Sequence, residues 1–226
     1  MGDPQNPLQP GDRAPAFALP AVNREGQLGL GDLRGRPFLI GFFRGLHCPF
    51  CRRQVMQLSE MQPALRAKGV ETVAVINTPL ARARLYFGYR PLPVVLLADP
   101  DCRTHRAFGV PRVGFLPEGS AEPPAWPART TVARFEAARI NPGGVLPQPL
   151  QPMAANPVLN ARDGFALDED DEAIFAAHGT QLVGHYLVDA AGVIVWTHIE
   201  AREGPDRLCY FPDAAEIITA ADGLRG

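Results

Sequence analysis

Pro37-Phe38-Leu39-Ile40-Gly41-Phe42-Phe43-Arg44-Gly45-Leu46-His47-Cys48-Pro49-Phe50-Cys51 decides the reading of this chain. Its first seven residues form an unbroken apolar run between Gly35 and Gly45, the pattern of a central strand buried on both faces. From Pro49 the period changes. Val55, Leu58, Met61 and Leu65 recur three or four residues apart, which predicts an amphipathic helix stopped at Gly69, with a kink expected at Pro63 because proline lacks an N–H and crowds the preceding turn.

Both thiols therefore fall in the first turn of that helix, and a spacing of three puts them on one face. Unpaired backbone N–H groups and the positive end of the helix dipole favour a thiolate there, and the thiolate is the nucleophilic form of cysteine. Cys48, nearer the end, is the candidate attacking thiol. Cys51, one turn on, can resolve a mixed disulfide or sulfenic acid at Cys48 into an intramolecular disulfide. Pro49 opens the helix, and Arg44, His47, Arg52 and Arg53 are expected to add positive charge. A buried structural pair and half of a zinc site are the competing readings. Zinc would want two more ligands, and Cys102, Cys209 and the histidines at 47, 105, 178, 185 and 198 supply no second CxxC or HxxxH, so neither a metal nor another cofactor is expected. Cys102 and Cys209 each read as single buried thiols.

Outward from this stretch, residues 70–77 (VETVAVIN) and 93–98 (PVVLLA) are two further strands, with helices predicted over 79–89 and 103–108. Strands alternating with helices argue for an α/β fold with a mostly parallel sheet covered on both sides. Upstream, 17–20 reads as a short edge strand, with a turn and a return strand through 28–33. Downstream, a hairpin is expected from 184–188 and 193–198 around Asp189-Ala190-Ala191-Gly192, with His185 and His198 facing one another, and Asp213 caps a last helix. Between these, 10 of the chain's 24 prolines fall in 111–157, with no sustained period, and a short helix follows over 168–178. That stretch is read as an irregular insertion, anchored by Trp126 and Phe135.

With 226 residues, 46% apolar and 20% charged, the chain suits one sizeable core. A net charge of −2 with scattered arginines lacks the electrostatic footprint of a nucleic-acid binder, which leaves small molecules or protein thiols as expected partners. No basic n-region leads into an apolar stretch at the start, and no apolar run is long enough for a bilayer, so a cytoplasmic protein without membrane partners is expected. In that compartment cysteines are more often redox-active or metal-binding than structural.

The strings FLIGFFRGLHCPFCRRQVMQL, GVETVAVIN, PVVLLADPDCRTHRAFGV and GHYLVDAAGVIVWTHIEAREGPD resemble the AhpC/TSA peroxiredoxin-like proteins, particularly their CxxC-containing subgroup. The resemblance covers about 11–110 and 180–224 and implies a thioredoxin-like fold, a central mixed sheet flanked by helices; the chain, 1–226, is expected to form one such domain, with the insertion at about 111–178 outside the match. It implies an antioxidant oxidoreductase that reduces hydroperoxides or disulfides through Cys48 and Cys51. A thioredoxin- or glutathione-type reductant would restore the dithiol, and the oligomeric state, a homodimer included, is left open. The family places a Pro and a Thr seven and three residues before the attacking cysteine, where this chain has Gly41 and Gly45. It places an Arg, or thioredoxins a cis-Pro, before the strand facing the cysteines, where this chain has residues near Val183. These departures favour thiol–disulfide exchange over fast peroxide reduction unless Arg44 or Arg52 substitutes. A redox-sensing or binding module on the same fold, with the insertion over the site, is the alternative function.

Overall fold

Strand β3 (Phe38–Phe43) is buried at every position, and the reason is its place in the sheet. It pairs in parallel with β4 (Glu71–Ile76) on one side and antiparallel with β8 (Gly184–Val188) on the other. In this computed structural model, which describes residues 6–120 and 129–225, the central sheet has the order β5-β4-β3-β8-β9, where β5 is Val95–Ala98 and β9 is Ile194–Ile199. The pairings β3/β4 and β4/β5 are parallel, whereas β3/β8 and β8/β9 are antiparallel. The sheet is thus evenly mixed rather than mostly parallel, because the last two strands form the expected hairpin and enter beside β3 in the opposite sense. A separate two-stranded pair, β1 (Ala18–Pro20) with β2 (Gln27–Gly29), sits at the amino end.

Helix α1 (Pro49–Ala67) leaves the end of β3 through a five-residue connection and returns to β4. It buries Phe50, Val55, Leu58 and Leu65, each contributing about 1.5–3 kcal/mol by removal from water, and it continues through Pro63 as one element. Helices α2 (Leu80–Phe87), α3 (Arg103–Ala107) and α7 (Ala214–Asp222) follow where the sequence predicts them, and the Asp213 carboxylate accepts from Ala215 N at 2.9 Å to cap the last.

Residues 111–178 are less irregular than their prolines suggest. Strands β6 (Gly114–Leu116) and β7 (Arg129–Thr131) pair in parallel, followed by α4 (Val132–Ala137), α5 (Pro152–Arg162) and α6 (Glu169–His178). Helices α4 and α5 are both unexpected. Pro152 stands at the first turn of α5, where no N–H is needed, Gln151 accepts from Ala154 N at 2.9 Å, and Pro157 is tolerated within it. Phe135 is buried as an anchor, whereas Trp126 lies outside the described residues. Among the described residues no helix is long and apolar enough to cross a membrane.

Candidate active site

Cys48 is the N-cap of α1. Its backbone is extended (φ −94°, ψ 107°), and its sulfur takes the place an Asp or Ser oxygen usually holds, accepting from the N–H of Cys51 at 3.4 Å. Cys51 is the third residue of the helix, so the strand-to-helix turn delivers both thiols to one spot. Both are buried, at 2% and 1% exposure.

The connection before Cys48 is tight, which accounts for one departure from the family pattern. A Cβ at Gly45 would lie 2.8 Å from Asn77 Oδ1 and 2.8 Å from Thr78 Oγ1, and Thr78 Oγ1 is engaged as the acceptor for Leu46 N at 3.1 Å. A Cβ at Gly41 would meet the Phe43 ring at 2.8 Å and His185 Cδ2 at 3.1 Å. A side chain at either place would require these neighbours to shift.

Arg44, at the exit of β3, supplies the charge. Its guanidinium is buried, with Nε donating to Cys48 Sγ at 3.3 Å. One Nη donates to Gln181 O at 2.7 Å and to Glu200 Oε1, and the other to Glu200 Oε2 at 3.3 Å and Cys209 Sγ at 3.4 Å. Glu200 follows β9 and is itself fixed by Val183 N at 2.8 Å and Cys209 N at 2.7 Å. A buried ion pair of this kind orients the guanidinium while its remaining donors reach the Gln181 carbonyl and the two sulfurs.

Burial alone would push the Cys48 thiol up. Hydrogen bonds from the thiols of Cys209 and Cys51, with the charge of Arg44, outweigh it and hold Cys48 well below the ordinary thiol range. Burial and then donation to Cys48 drive Cys51 in the opposite direction. Cys209 is likewise raised, first by its hydrogen bond to Cys48 and then by burial. These directions make Cys48 the first of the three sulfurs to ionise.

Two residues expected to add charge do something else. Burial lowers His47 to about 4, so its ring is neutral at pH 7, and it packs against Phe175 with ring centroids 5.6 Å apart. Arg52 directs its guanidinium to Leu46 O at 2.6 Å, Asn160 Oδ1 at 2.9 Å and Asp163 Oδ2 at 2.9 Å, with the Phe165 ring 4.0 Å away. It ties the turn before Cys48 to α5, and Arg53 adds a bond to Asp163 at 2.5 Å. Pro49 stands at the first helical position, where its missing N–H costs nothing.

Cys102 is remote from this group. It bonds Asn77 Nδ2 at 3.4 Å, and burial pushes its thiol up to about 12. His185 and His198 do pair across the hairpin, with ring centroids 5.9 Å apart, and burial holds both below the usual histidine value.

A narrow pocket of about 30 Å³ leads to Cys48, room for a water-sized group. Arg44, His47, Cys48, Leu208 and Cys209 form its floor, and Phe135, Pro152, Met153, Asn156 and Phe175 from the 111–178 stretch form its other walls. Sequence reasoning missed Glu200 and Cys209. Glu200 stands within one of the family-like strings and Cys209 reads as a single buried thiol, and only their distant partner Arg44 gives them a place in the site.

A family model described as the AhpC/TSA family matches residues 10–133. Peroxiredoxin Bcp from Escherichia coli strain K12 is 30% identical over 105 residues, 46% of this chain and 67% of that protein. Among solved structures, reduced 2-Cys peroxiredoxin from Plasmodium vivax superposes with a TM-score of 0.58 at 15% identity, covering 97% of this chain and 83% of that one. Peroxidoxin BcpB from Mycobacterium tuberculosis gives 0.56 at 12%, covering 97% and 99%. The two structural likenesses speak for the thioredoxin-like fold alone.

Proposed function

This chain belongs to the AhpC/TSA family, and on that premise we propose that it is a peroxiredoxin-like thiol peroxidase whose attacking group is the Cys48 thiolate. The thiolate attacks the outer oxygen of a hydroperoxide, the O–O bond breaks, and Cys48 becomes a sulfenic acid as the leaving alkoxide or hydroxide takes up a proton. Cys51 then attacks the Cys48 sulfur. A disulfide forms, the S–O bond breaks, and water leaves with the Cys51 proton. A thioredoxin- or glutathione-type thiol restores the pair. The chain acts as one thioredoxin-like domain in the cytoplasm, with the 111–178 stretch walling the site.

The observation that carries this reading is the Arg44 Nε donor 3.3 Å from the Cys48 sulfur. It fills, from the end of β3, the electrostatic place the family gives to another arginine, and it lines the narrow pocket that leads to the sulfur. A fixed cation there favours both the thiolate and the negative charge that develops on the peroxide oxygens. Peroxide reduction is therefore favoured over the disulfide exchange that Gly45 and Val183 suggested.

Stopped-flow mixing of reduced protein with hydrogen peroxide, an organic hydroperoxide and a small disulfide tests the assignment, with thiols counted before and after. A hydroperoxide is expected to consume two thiols fastest, and Cys48→Ser is expected to fall to the reagent blank. Faster consumption by the disulfide would overturn the peroxidase assignment. The sensing alternative draws support from the low exposure of Cys48 and the walls around its pocket, and it requires that oxidation occur without repeated turnover when a reductant is supplied.

A further inference from the structure

Three cysteines, not two, meet at the reacting sulfur. Cys209 shares the Arg44 guanidinium with Cys48, at 3.4 Å from one Nη while Cys48 lies 3.3 Å from Nε, and both cysteines line the same narrow pocket. Its backbone is held in the left-handed region (φ 66°), which a non-glycine residue adopts only at a cost and which tends to persist where function or packing demands it. Two buried side chains hold it there. Its N–H donates to Glu200 Oε2 at 2.7 Å, and its carbonyl accepts from Gln54 Nε2, on the helix that carries Cys48 and Cys51, at 2.7 Å.

The position also differs in access. Cys209 is 8% exposed and lies on the wall of two openings: the narrow pocket to Cys48, and a second one of about 230 Å³ bounded by Phe50, Arg53, Gln54, Tyr210 and Phe211. A disulfide confined to Cys48 and Cys51 is nearly closed to a reductant, whereas one that includes Cys209 borders the larger opening.

We propose that Cys209 is a second resolving thiol, which competes with Cys51 for the oxidised Cys48 and forms a Cys48–Cys209 disulfide. The proposal rests on Cys48 being the attacking thiol. Cys209 attacks the sulfenic sulfur of Cys48, the S–S bond forms as the S–O bond breaks, and the departing hydroxide leaves as water with the Cys209 proton. The hydroperoxide that made the sulfenic acid is the oxidant. The same product arises by exchange when Cys209, as thiolate, attacks Cys48 in a Cys48–Cys51 disulfide and Cys51 departs as the thiolate.

The test compares reduced wild type, Cys51→Ser and Cys51→Ser/Cys209→Ser after one equivalent of hydrogen peroxide, with free thiols alkylated and peptides mapped without reduction. Cys51→Ser is expected still to lose two thiols and to give a Cys48–Cys209 linked peptide, while the double variant loses one and holds a sulfenic acid that dimedone traps at Cys48. A Cys51→Ser protein that stops at the trapped sulfenic acid, with Cys209 alkylated, would overturn the proposal and leave the role of Cys48 intact. A wild type in which Cys48 is never oxidised overturns both. If Cys51→Ser fails to fold by circular dichroism, the wild-type map decides: linked peptides should divide between Cys48–Cys51 and Cys48–Cys209, and absence of the second rules the proposal out.

Discussion

The guanidinium of Arg44 lies between the sulfurs of Cys48 and Cys209, 3.3 Å from the first and 3.4 Å from the second, with Glu200 closing its other side. One residue at the end of the central strand thus both keeps a thiolate charged and neutralises a carboxylate that has no access to water. These two duties can be separated by substitution.

Arg44→Gln leaves Glu200 as a buried carboxylate without its cation, and breaking such a pair from one side costs about 3–5 kcal/mol. Urea denaturation should show a loss of that size. Adding Glu200→Gln removes the orphaned charge and should recover much of the stability, while the rate of peroxide consumption stays low because no cation faces Cys48. Recovery of both together would mean that Arg44 serves the fold only.

His47 carries a pH dependence whose sign follows from its burial. Its folded-state value of about 4 lies below the ordinary histidine value of about 6.5, so the unfolded chain takes up a proton first as pH falls. The stability that neutral His47 contributes is full above pH 6.5 and is lost as pH drops toward 4. Between pH 7 and pH 5 the loss from this group is about 2 kcal/mol. Denaturation at the two pH values should show a fall at least that large, since His185 and His198 are shifted the same way, and His47→Phe should reduce it.

Restoring the family's threonine is expected to harm this protein. In Gly45→Thr the new Cβ presses on Asn77 and Thr78, and overpacking of that kind costs about 1–3 kcal/mol. It also displaces the turn in which Cys48 N donates to Gly45 O at 3.0 Å. Both thermal stability and peroxidase rate should fall. A gain in rate would show that the turn has room the neighbours do not suggest.

Much of this site is legible in the linear sequence, and the limits have a physical pattern. The 37–43 run announces its strand because burial on both faces leaves no polar position, and the helix after it is written in the spacing of Val55, Leu58 and Leu65. These are local signals. His47 looks like a charge because the sequence does not show that Phe175, 128 positions later, helps bury it. Glu200, in THIEAREG, carries no local signal of its role until Arg44 is found against it. Helix α5 hides behind Pro152 and Pro157, although proline at a first helical turn is itself a start signal.

Under the proposed function, the walls contributed by the 111–178 stretch are expected to set substrate size. Phe175 lines the pocket and is 39% exposed, so Phe175→Ala should widen it with little effect on the fold. The rate with a bulky aromatic hydroperoxide is expected to rise several-fold relative to hydrogen peroxide, read as a change in the ratio of kcat/KM values. An unchanged ratio would place substrate entry elsewhere.

The most direct measurement is a pH titration of the Cys48 thiolate by its ultraviolet absorbance, taken as the difference between reduced wild type and Cys48→Ser. Ionisation is expected well below the ordinary thiol value of about 8.5, and it should move upward in Arg44→Gln/Glu200→Gln. A transition at or above that ordinary value in the wild type would contradict the account, because a sulfur that stays protonated beside Arg44 is not the nucleophile described here.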